Sequence, residues 1–253
     1  MSGPAARPGD PRHPADVAIV GAGAAGCEAA IRLARAGRSV LLVTTSLDTV
    51  FAAETERVPY AAPEGTLLAE VIGRLTPTAD GTVSAWDLHA AAKARLEAEP
   101  GLHLLQASVD ALVPPTEDGP TSGPWTLVTW EGVEHRAAVV GLCVGTFLRA
   151  RWTSGDATEV AGRPGEMAYD ELADDLAAHG VPFVRDAVEG GGADRPAWRV
   201  TFDRFAPEAC DGPALVGLRS AYAAGRCVHG ASSYEAAARD GARLADAVVA
   251  ATS

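Results

Sequence analysis

The stretch DVAIVGAGAAGCEAAIRLARAG, Asp16–Gly37, determines the start of the fold. A short apolar run enters a turn in which Gly21, Gly23 and Gly26 have the G-x-G-x-x-G spacing. An alanine-rich segment with helical spacing follows, and a second apolar run, 39–43, comes directly after it. Strand, glycine turn, helix and strand within about thirty residues predict a βαβ unit.

The glycine turn has the residues that a dinucleotide-binding site requires. Gly21 permits the tight turn, Gly23 leaves room for a pyrophosphate, and Gly26 lets helix and strand pack closely. Ala24 and Ala25 supply the first helical N–H groups, at the helix end that attracts phosphate. The alternative is a tight turn that needs its glycines only for packing.

One expected feature is absent after the second strand, where an acid usually binds a ribose hydroxyl. Thr44, Thr45 and Ser46 occupy that place, and Asp48 lies slightly beyond. Hydroxyl groups can make the same hydrogen bond as neutral donors and acceptors. Asp48 is more simply interpreted as a solvated loop residue.

Strands and helices alternate along the rest of the chain, which predicts an α/β fold with a doubly wound, mostly parallel, Rossmann-like sheet. Two short apolar runs around Glu131-Gly132 predict a small antiparallel excursion. We expect a single strand at 103–112 and a flexible glycine-rich loop at 189–195. Helices are predicted at 64–73, 86–99, 169–179 and 233–250.

The predicted domain organisation is simple. Residues 1–15 are rich in Pro and Gly and are expected to form a flexible tail. Residues 16–253 are expected to form one domain, with a possible small substrate-side subregion around 147–210.

Composition excludes several classes of protein. The 253 residues carry a net charge of −12, with 33 acids against 21 Lys and Arg, so direct binding to tRNA is not expected. No apolar run is long enough for a membrane span, and the N-terminus lacks the apolar core of a signal peptide. The four cysteines form no C-x-x-C pair, which disfavours a metal site and favours reduced thiols in a cytoplasm. The oligomeric state stays open.

Five stretches together resemble a known family. They occur in the chain in this order: GAGAAGCEAA at 21–30, LLVTTSLDT at 41–49, GTFLRAR at 145–151, AGRPGE at 161–166 and AGRCVHGASSYEAAARDG at 224–241. They are similar to the FAD-binding domain of the GidA/MnmG family, whose members modify the wobble uridine of tRNA. The resemblance implies FAD as the cofactor, and it removes the objection raised by the missing acid.

The departures from that family concern its chemistry. The family has a C-N-P-A-I-G-G segment after L-D-T, with a cysteine implicated in methylene transfer, whereas residues 50–65 contain no cysteine. Its K-T-G-T-P segment is also absent. Because the sequence given stops at Ser253, we expect a short GidA-related protein without the C-terminal region that the long enzymes use for tRNA and for their GTPase partner.

The resemblance and the fold also imply contacts to FAD beyond the glycine turn. Hydroxyls after the second strand would approach the ribose, a later strand would meet the adenine, and the last helix would point its positive end at the flavin ring. A helix cap is the plain alternative for Ser232 and Ser233. The implied contact residues are Thr45, Ser46, Ser108, Val109, Val144, Gly145, Thr146, Gly225, Arg226, Glu235, Ala236 and Ala237.

Other conspicuous residues have two interpretations each. Cys27 and Cys227 could be reactive, but packing is the simpler role for Cys27, and a chemical role for Cys227 is not favoured. Arg149, Arg151 and Arg163 could bind an anion or could lie in solvated loops.

Three functions follow as hypotheses. The first is a FAD-dependent oxidoreductase with an unknown small-molecule or protein partner. The second is a FAD-binding carrier or subunit without catalysis of its own. The third is an accessory factor in tRNA wobble-uridine modification.

Overall fold

The computed structural model describes residues 13–53, 55–115, 123–192, 195–230 and 232–252. Most of the predicted tail, residues 1–12, lies outside these ranges, so its flexibility stays a prediction. None of the described helices combines the length and the apolar composition that crossing a bilayer requires.

Six α-helices and seventeen strands are formed by the described residues. The helices are α1 Ala24–Arg35, α2 Leu67–Ile72, α3 Ala85–Glu97, α4 Asp170–Ala178, α5 Arg226–His229 and α6 Tyr234–Ala251. The first eight strands are β1 Ala15–Val20, β2 Val40–Thr44, β3 Arg57–Pro59, β4 Thr82–Ser84, β5 Leu102–Gln106, β6 Val109–Val113, β7 Trp125–Thr129 and β8 Glu134–Leu142. The others are β9 Arg151–Ser154, β10 Ala157–Glu159, β11 Ala161–Arg163, β12 Glu166–Met167, β13 Phe183–Gly192, β14 Arg195–Phe205, β15 Cys210–Asp211, β16 Ala214–Leu215 and β17 Ala221–Ala223.

The main sheet has the order β15-β16-β17-β8-β1-β2-β5, and its strands β17, β8, β1, β2 and β5 run parallel. Strands β6 and β7 join it as an antiparallel excursion through β8. Side chains of β1 alternate between two cores: Val17 and Ile19 pack with α1, α2, α3 and α6, while Ala18 and Val20 pack with α4. The predicted doubly wound fold class is therefore confirmed.

A second sheet, β10-β9-β14-β13, is antiparallel and is formed by residues 151–205. It therefore lies inside the stretch 147–210 that the sequence marks as a possible subregion. Its own small core is built around Phe202, with Val188, Val200 and Ala150.

Two predictions about strands are wrong. The glycine-rich stretch 189–195 is predicted as a loop, but β13 continues to Gly192 and β14 begins at Arg195, while residues 193 and 194 lie outside the described residues. Gly190 pairs with Trp198 of β14 and leaves space for its ring. The stretch 103–112 forms two strands instead of one. The chain turns between them, where the Ser108 carbonyl accepts a hydrogen bond from the Trp130 N–H and directs β6 into the antiparallel excursion.

Close contacts of glycine fix the position of α1. A Cβ on Gly26 would lie 1.9 Å from the Gly21 carbonyl oxygen, and a Cβ on Gly241 of α6 would lie 2.1 Å from the Ala25 carbonyl oxygen. Gly21 itself has φ +101°, a conformation that favours glycine. The turn, α1 and α6 are therefore as close together as their backbones allow.

The buried acid of the CEAA motif joins α1 to α2. Glu28 is 1% exposed, and its carboxylate accepts hydrogen bonds from the Leu67 N–H at 2.6 Å and from Nε of Arg32 at 2.6 Å. Leu67 is the first residue of α2, where helix N–H groups lack partners and attract negative charge. Glu28 thus stabilises the start of α2 from the neighbouring helix.

We expect Gly241→Ala to destabilise the protein, although alanine ordinarily favours a helix by about 1 kcal/mol over glycine. The new methyl group would collide with the Ala25 backbone, so the free energy of unfolding should fall by about 2–4 kcal/mol. Urea unfolding measures this change. The control is Ala250→Gly at an exposed position of the same helix, for which a loss of at most about 1 kcal/mol is expected. An unchanged or higher stability for Gly241→Ala would contradict the packing argument.

Candidate functional site

A groove runs along the carboxyl ends of the parallel strands. It follows β1 at the glycine turn, β2 at Thr44 and Thr45, β8 at 143–147 and β17 at 224–226. Its volume is about 930 Å³, counting the space that is open to solvent. Ligands of open parallel sheets bind at this edge, where connections leave neighbouring strands in opposite directions.

Two backbone hydrogen bonds fix the glycine turn to its surroundings. The Gly21 N–H donates to the Val43 carbonyl at 2.8 Å, and the Phe51 N–H donates to the Ala22 carbonyl at 2.8 Å. Phe51 is buried with φ +57°, and its ring packs 6.0 Å from that of Tyr234 at the start of α6. A non-glycine residue in this conformation is strained, and such strain is maintained only where the surroundings fix it.

The N-terminus of α1 opens onto the groove without a side-chain cap. Gly23 is its N-cap residue, and no acidic side chain lies in the first turn. A Cβ on Gly23 would meet nothing within 4 Å, so free space lies beside the helix end. Unpaired N–H groups, the positive helix end and this space together fit the pyrophosphate of a dinucleotide.

A second helix N-terminus borders the same groove. The Ser233 hydroxyl caps α6 by accepting a hydrogen bond from the Ala236 N–H at 3.2 Å, as the capping interpretation predicts. Oγ of Ser232 is buried and has no hydrogen-bond partner, although Ser232 lines the groove. A buried hydroxyl without a partner is unfavourable, and a polar group bound in the groove would satisfy it.

Three polar side chains meet across the groove. Oγ1 of Thr49, in the loop after β2, donates to Glu166 at 3.1 Å. Nη1 of Arg163 lies 3.4 Å from the same carboxylate, and its Nη2 donates to the Ala52 carbonyl at 3.3 Å. The hairpin β11–β12 is thereby tied to the loop that follows β2.

Burial keeps the thiols and the phenol near the groove protonated. Burial raises the pKa of the Cys227 thiol to about 12, against hydrogen bonds from the backbone of Gly145 and Val144 that lower it. Burial, with the nearby Cys227, raises the pKa of Cys143 well above its usual value, and burial likewise raises the pKa of Tyr169. Since the thiolate is the nucleophile, Cys143 and Cys227 are not activated for nucleophilic attack at neutral pH.

The groove brings together most of the residues that the sequence singles out. They come from all four strand ends and from α6, which is the arrangement expected for one extended ligand. The predicted residues that line it are Gly21, Gly23, Ala24, Ala25, Thr45, Val144, Gly145, Thr146, Gly225, Arg226 and Ala237.

The remaining predicted residues do not line the groove. Gly26 packs beneath the turn, and Val109 is 1% exposed in the core. Ser46 caps a short 3₁₀ helix, Leu47–Thr49, by accepting from the Asp48 N–H. The others are Ser108, whose carbonyl accepts a hydrogen bond from the Trp130 N–H, and Glu235 and Ala236 in the first turn of α6.

The sequence left open whether the three arginines bind an anion or lie in solvated loops, and the structure places them in different surroundings. Arg149 pairs with Asp174 and Asp203, and Arg151 pairs with Asp170, so both are engaged in ion pairs away from the groove. Arg163 alone of the three lines the groove.

Several lining residues were missed from the sequence. AGRPGE contains one of them, Glu166, but the spacing within that stretch gives no sign of its partner Thr49. The others lie beside predicted positions or carry no distinguishing pattern. They are Ala22, Thr49, Ala52, Cys143, Phe147, Tyr169, Ala224 and Tyr234.

Within the part of the chain that the structure describes, no group of three His, Cys, Asp or Glu residues is arranged to bind a metal ion.

Known proteins are similar to this chain in sequence and in fold. The chain is 36% identical over 194 residues to the tRNA uridine 5-carboxymethylaminomethyl modification enzyme MnmG of Chloroflexus aurantiacus, a match that covers 67% of this chain and 29% of the relative. It therefore spans less than a third of the length of such relatives.

Solved structures with a similar fold include members of the same group of proteins. The GidA-related protein from Thermus thermophilus is 35% identical, with a TM-score of 0.79 over 93% of this chain and 98% of that one. Aquifex aeolicus GidA is 15% identical, with a TM-score of 0.78 over 94% of this chain and 63% of that one, and it shares the fold.

The model of the family described as glucose inhibited division protein A, GIDA, matches residues 16–73 and 81–191. These ranges include the glycine turn, the loop after β2, the end of β8 and the β11–β12 hairpin. The chain therefore belongs to the GidA family.

Proposed function

We propose that this protein binds FAD in the groove and acts as a FAD-dependent oxidoreductase with an unassigned substrate. The observation that carries the proposal is the uncapped N-terminus of α1 beside the open space at Gly23. A pyrophosphate there would accept hydrogen bonds from Ala24 and Ala25 and would lie at the positive helix end. Thr45, at the end of β2, would approach the ribose.

The other groove residues fit the remaining length of an extended dinucleotide. Gly145 and Gly225 have φ +59° and +84°, so their backbones turn sharply at two strand ends. Oγ of Ser232 offers an unpaired hydroxyl, and the N-terminus of α6 offers partial positive charge. A bound flavin would supply the redox chemistry, while these residues bind it, orient it and favour its anionic reduced form.

A substitution at Gly23 tests FAD binding directly. Gly23 has φ −74°, which any residue adopts, so Gly23→Val should fold normally while its side chain occupies the space for the pyrophosphate. Titration with FAD, followed by flavin fluorescence, should show at least about tenfold weaker binding, which corresponds to about 1.4 kcal/mol.

The matched control is Gly123→Val, because a Cβ on Gly123 also meets nothing within 4 Å and that residue does not line the groove. It should bind FAD as the parent does, and both variants should keep the parent's unfolding midpoint. If the parent protein neither binds nor is stabilised by FAD, the proposal fails.

Reduction of the bound flavin separates an oxidoreductase from a carrier. We expect anaerobic mixing of the FAD-loaded protein with NADH or NADPH to bleach the flavin absorbance. One observation favours the carrier instead: the thiols of Cys143 and Cys227 have raised pKa values, so neither supplies a thiolate beside the groove at neutral pH. Absence of bleaching with both reductants would support the carrier or subunit.

Direct binding of tRNA is not part of the proposed function, although MnmG relatives are named for a tRNA modification. The net charge of −12 opposes approach to a polyanion. A gel shift with unmodified tRNA at moderate salt should show no complex. A shift that weakens steeply as salt is raised would contradict this prediction and would favour the role in wobble-uridine modification.

A further inference from the structure

A second cavity of about 650 Å³, counting space open to solvent, adjoins the groove. The two share Thr146, Phe147 and Arg163 as lining residues, so they meet at the end of β8 and the β11–β12 hairpin. The far wall belongs to the antiparallel sheet, with Trp152 on β9 and Trp198 on β14. The cavity is thus placed between the groove and the second sheet.

Glycines make room for two of the rings that form its walls. A Cβ on Gly190 would lie 2.2 Å from the Trp198 indole, and a Cβ on Gly162 would lie 2.4 Å from the Phe147 ring. Each ring therefore lies directly against the backbone, in the space that the Cβ of any residue other than glycine would occupy. The positions of Trp198 and Phe147 in the cavity wall depend on these two glycines.

The chemistry of the wall is aromatic and apolar with one cation. Val188 and Val200 complete the apolar surface, and Arg163 is the charged residue among the described residues that line the cavity. Its guanidinium is oriented by Glu166 and by the Ala52 carbonyl. Because a guanidinium carries five N–H donors, an acceptor group of a ligand can bind it as well.

We propose that this cavity binds the substrate of the protein, and that the substrate carries a planar aromatic or heteroaromatic ring with a carbonyl or carboxylate substituent. The ring would pack on Trp198 and Phe147, since flat rings gain from offset or edge-to-face contact with aromatic side chains. The acceptor substituent would bind Arg163. The assignment as a substrate site rests on the proposed FAD function, because only a cofactor in the adjoining groove would give the bound ring a reaction.

The shape and charge of the cavity disfavour other small ligands. A free phosphate would meet mostly apolar surface, and the charge of Arg163 is already partly balanced by Glu166 at 3.4 Å. A saturated ring of the same size has no π face and would lose the additional stabilisation of an aromatic pair. Planarity is therefore the property that the experiment must isolate.

The test uses naphthalene-2-carboxylate and its saturated counterpart decahydronaphthalene-2-carboxylate, titrated by calorimetry into the full chain with and without FAD. We expect the planar acid to bind at least about tenfold more tightly, a ratio of the size that one or two aromatic contacts provide. Equal affinity for the two acids, or no detectable binding of the planar acid, would overturn the proposal.

Variants locate the binding. Trp198→Ala removes one ring, and Gly190→Ala retains it but places a methyl group where the indole lies. Both should weaken binding of the planar acid at least about tenfold. Trp130→Ala is the control, because Trp130 is 64% exposed and does not line the cavity. Affinity that is unchanged in both cavity variants would contradict the assigned site.

Trp198→Phe retains an aromatic wall, so it should bind the planar acid more tightly than Trp198→Ala does. If Trp198→Ala weakened binding only by disturbing the fold, restoring an aromatic ring would not be expected to restore the affinity. The FAD titration of each variant is measured separately. If FAD does not bind the parent but the planar acid binds as expected, the FAD function fails while the ring site stands. If FAD binds and the planar acid does not, only the ring site fails.

Discussion

The structure depends on the contact between Gly26 and the carbonyl oxygen of Gly21. A Cβ at Gly26 would lie 1.9 Å from that oxygen, closer than any two such atoms can approach. The absence of this one atom lets α1 start directly behind the turn that follows β1. Every later feature of the groove is positioned relative to that helix end.

A second glycine allows an equally close approach between α1 and α6. Gly241 lets α6 approach Ala25, and the two helices then present their N-termini to one groove. Glu28 connects α1 to α2 by a buried hydrogen bond, so a third helix is attached to the same support. The glycine-rich stretch 21–30 therefore also contains Glu28, the residue that connects α1 to α2.

Local patterns were sufficient for the elements whose causes are local. The glycine spacing predicted the βαβ unit, and the serine before α6 predicted its cap. The contact between Thr49 and Glu166 could not be predicted in this way, because 117 residues separate the two in sequence. Only the folded sheet, which brings the ends of distant strands together, places them in one groove.

Composition gave a wrong prediction where a glycine makes room for a neighbouring side chain and is not needed for its own backbone conformation. The stretch EGGGADR has the content of a flexible loop, yet Gly190 lies in β13, directly before a shift in the register with β14. A glycine is required there because the indole of Trp198, on β14, occupies the space that a Cβ would take. Sequence reasoning from one segment at a time cannot register this, because the residue that explains the glycine belongs to another strand. The contacts expected at Ser108 and Val109 stay predictions: neither residue lines the groove, and the chain turns from the parallel sheet into the antiparallel excursion at that point.

The distribution of thiols has a practical consequence. Cys27, Cys143 and Cys227 are buried, whereas Cys210 on β15 is partly exposed at the outer edge of the main sheet. Burial also raises the pKa of Cys210, so alkylation would proceed best at mildly alkaline pH. An iodoacetamide dye, which stays selective for thiols at that pH, would therefore attach at one place on the native chain without any engineered cysteine. It would report from the edge of the sheet opposite β5, leaving the groove and the aromatic cavity unmodified.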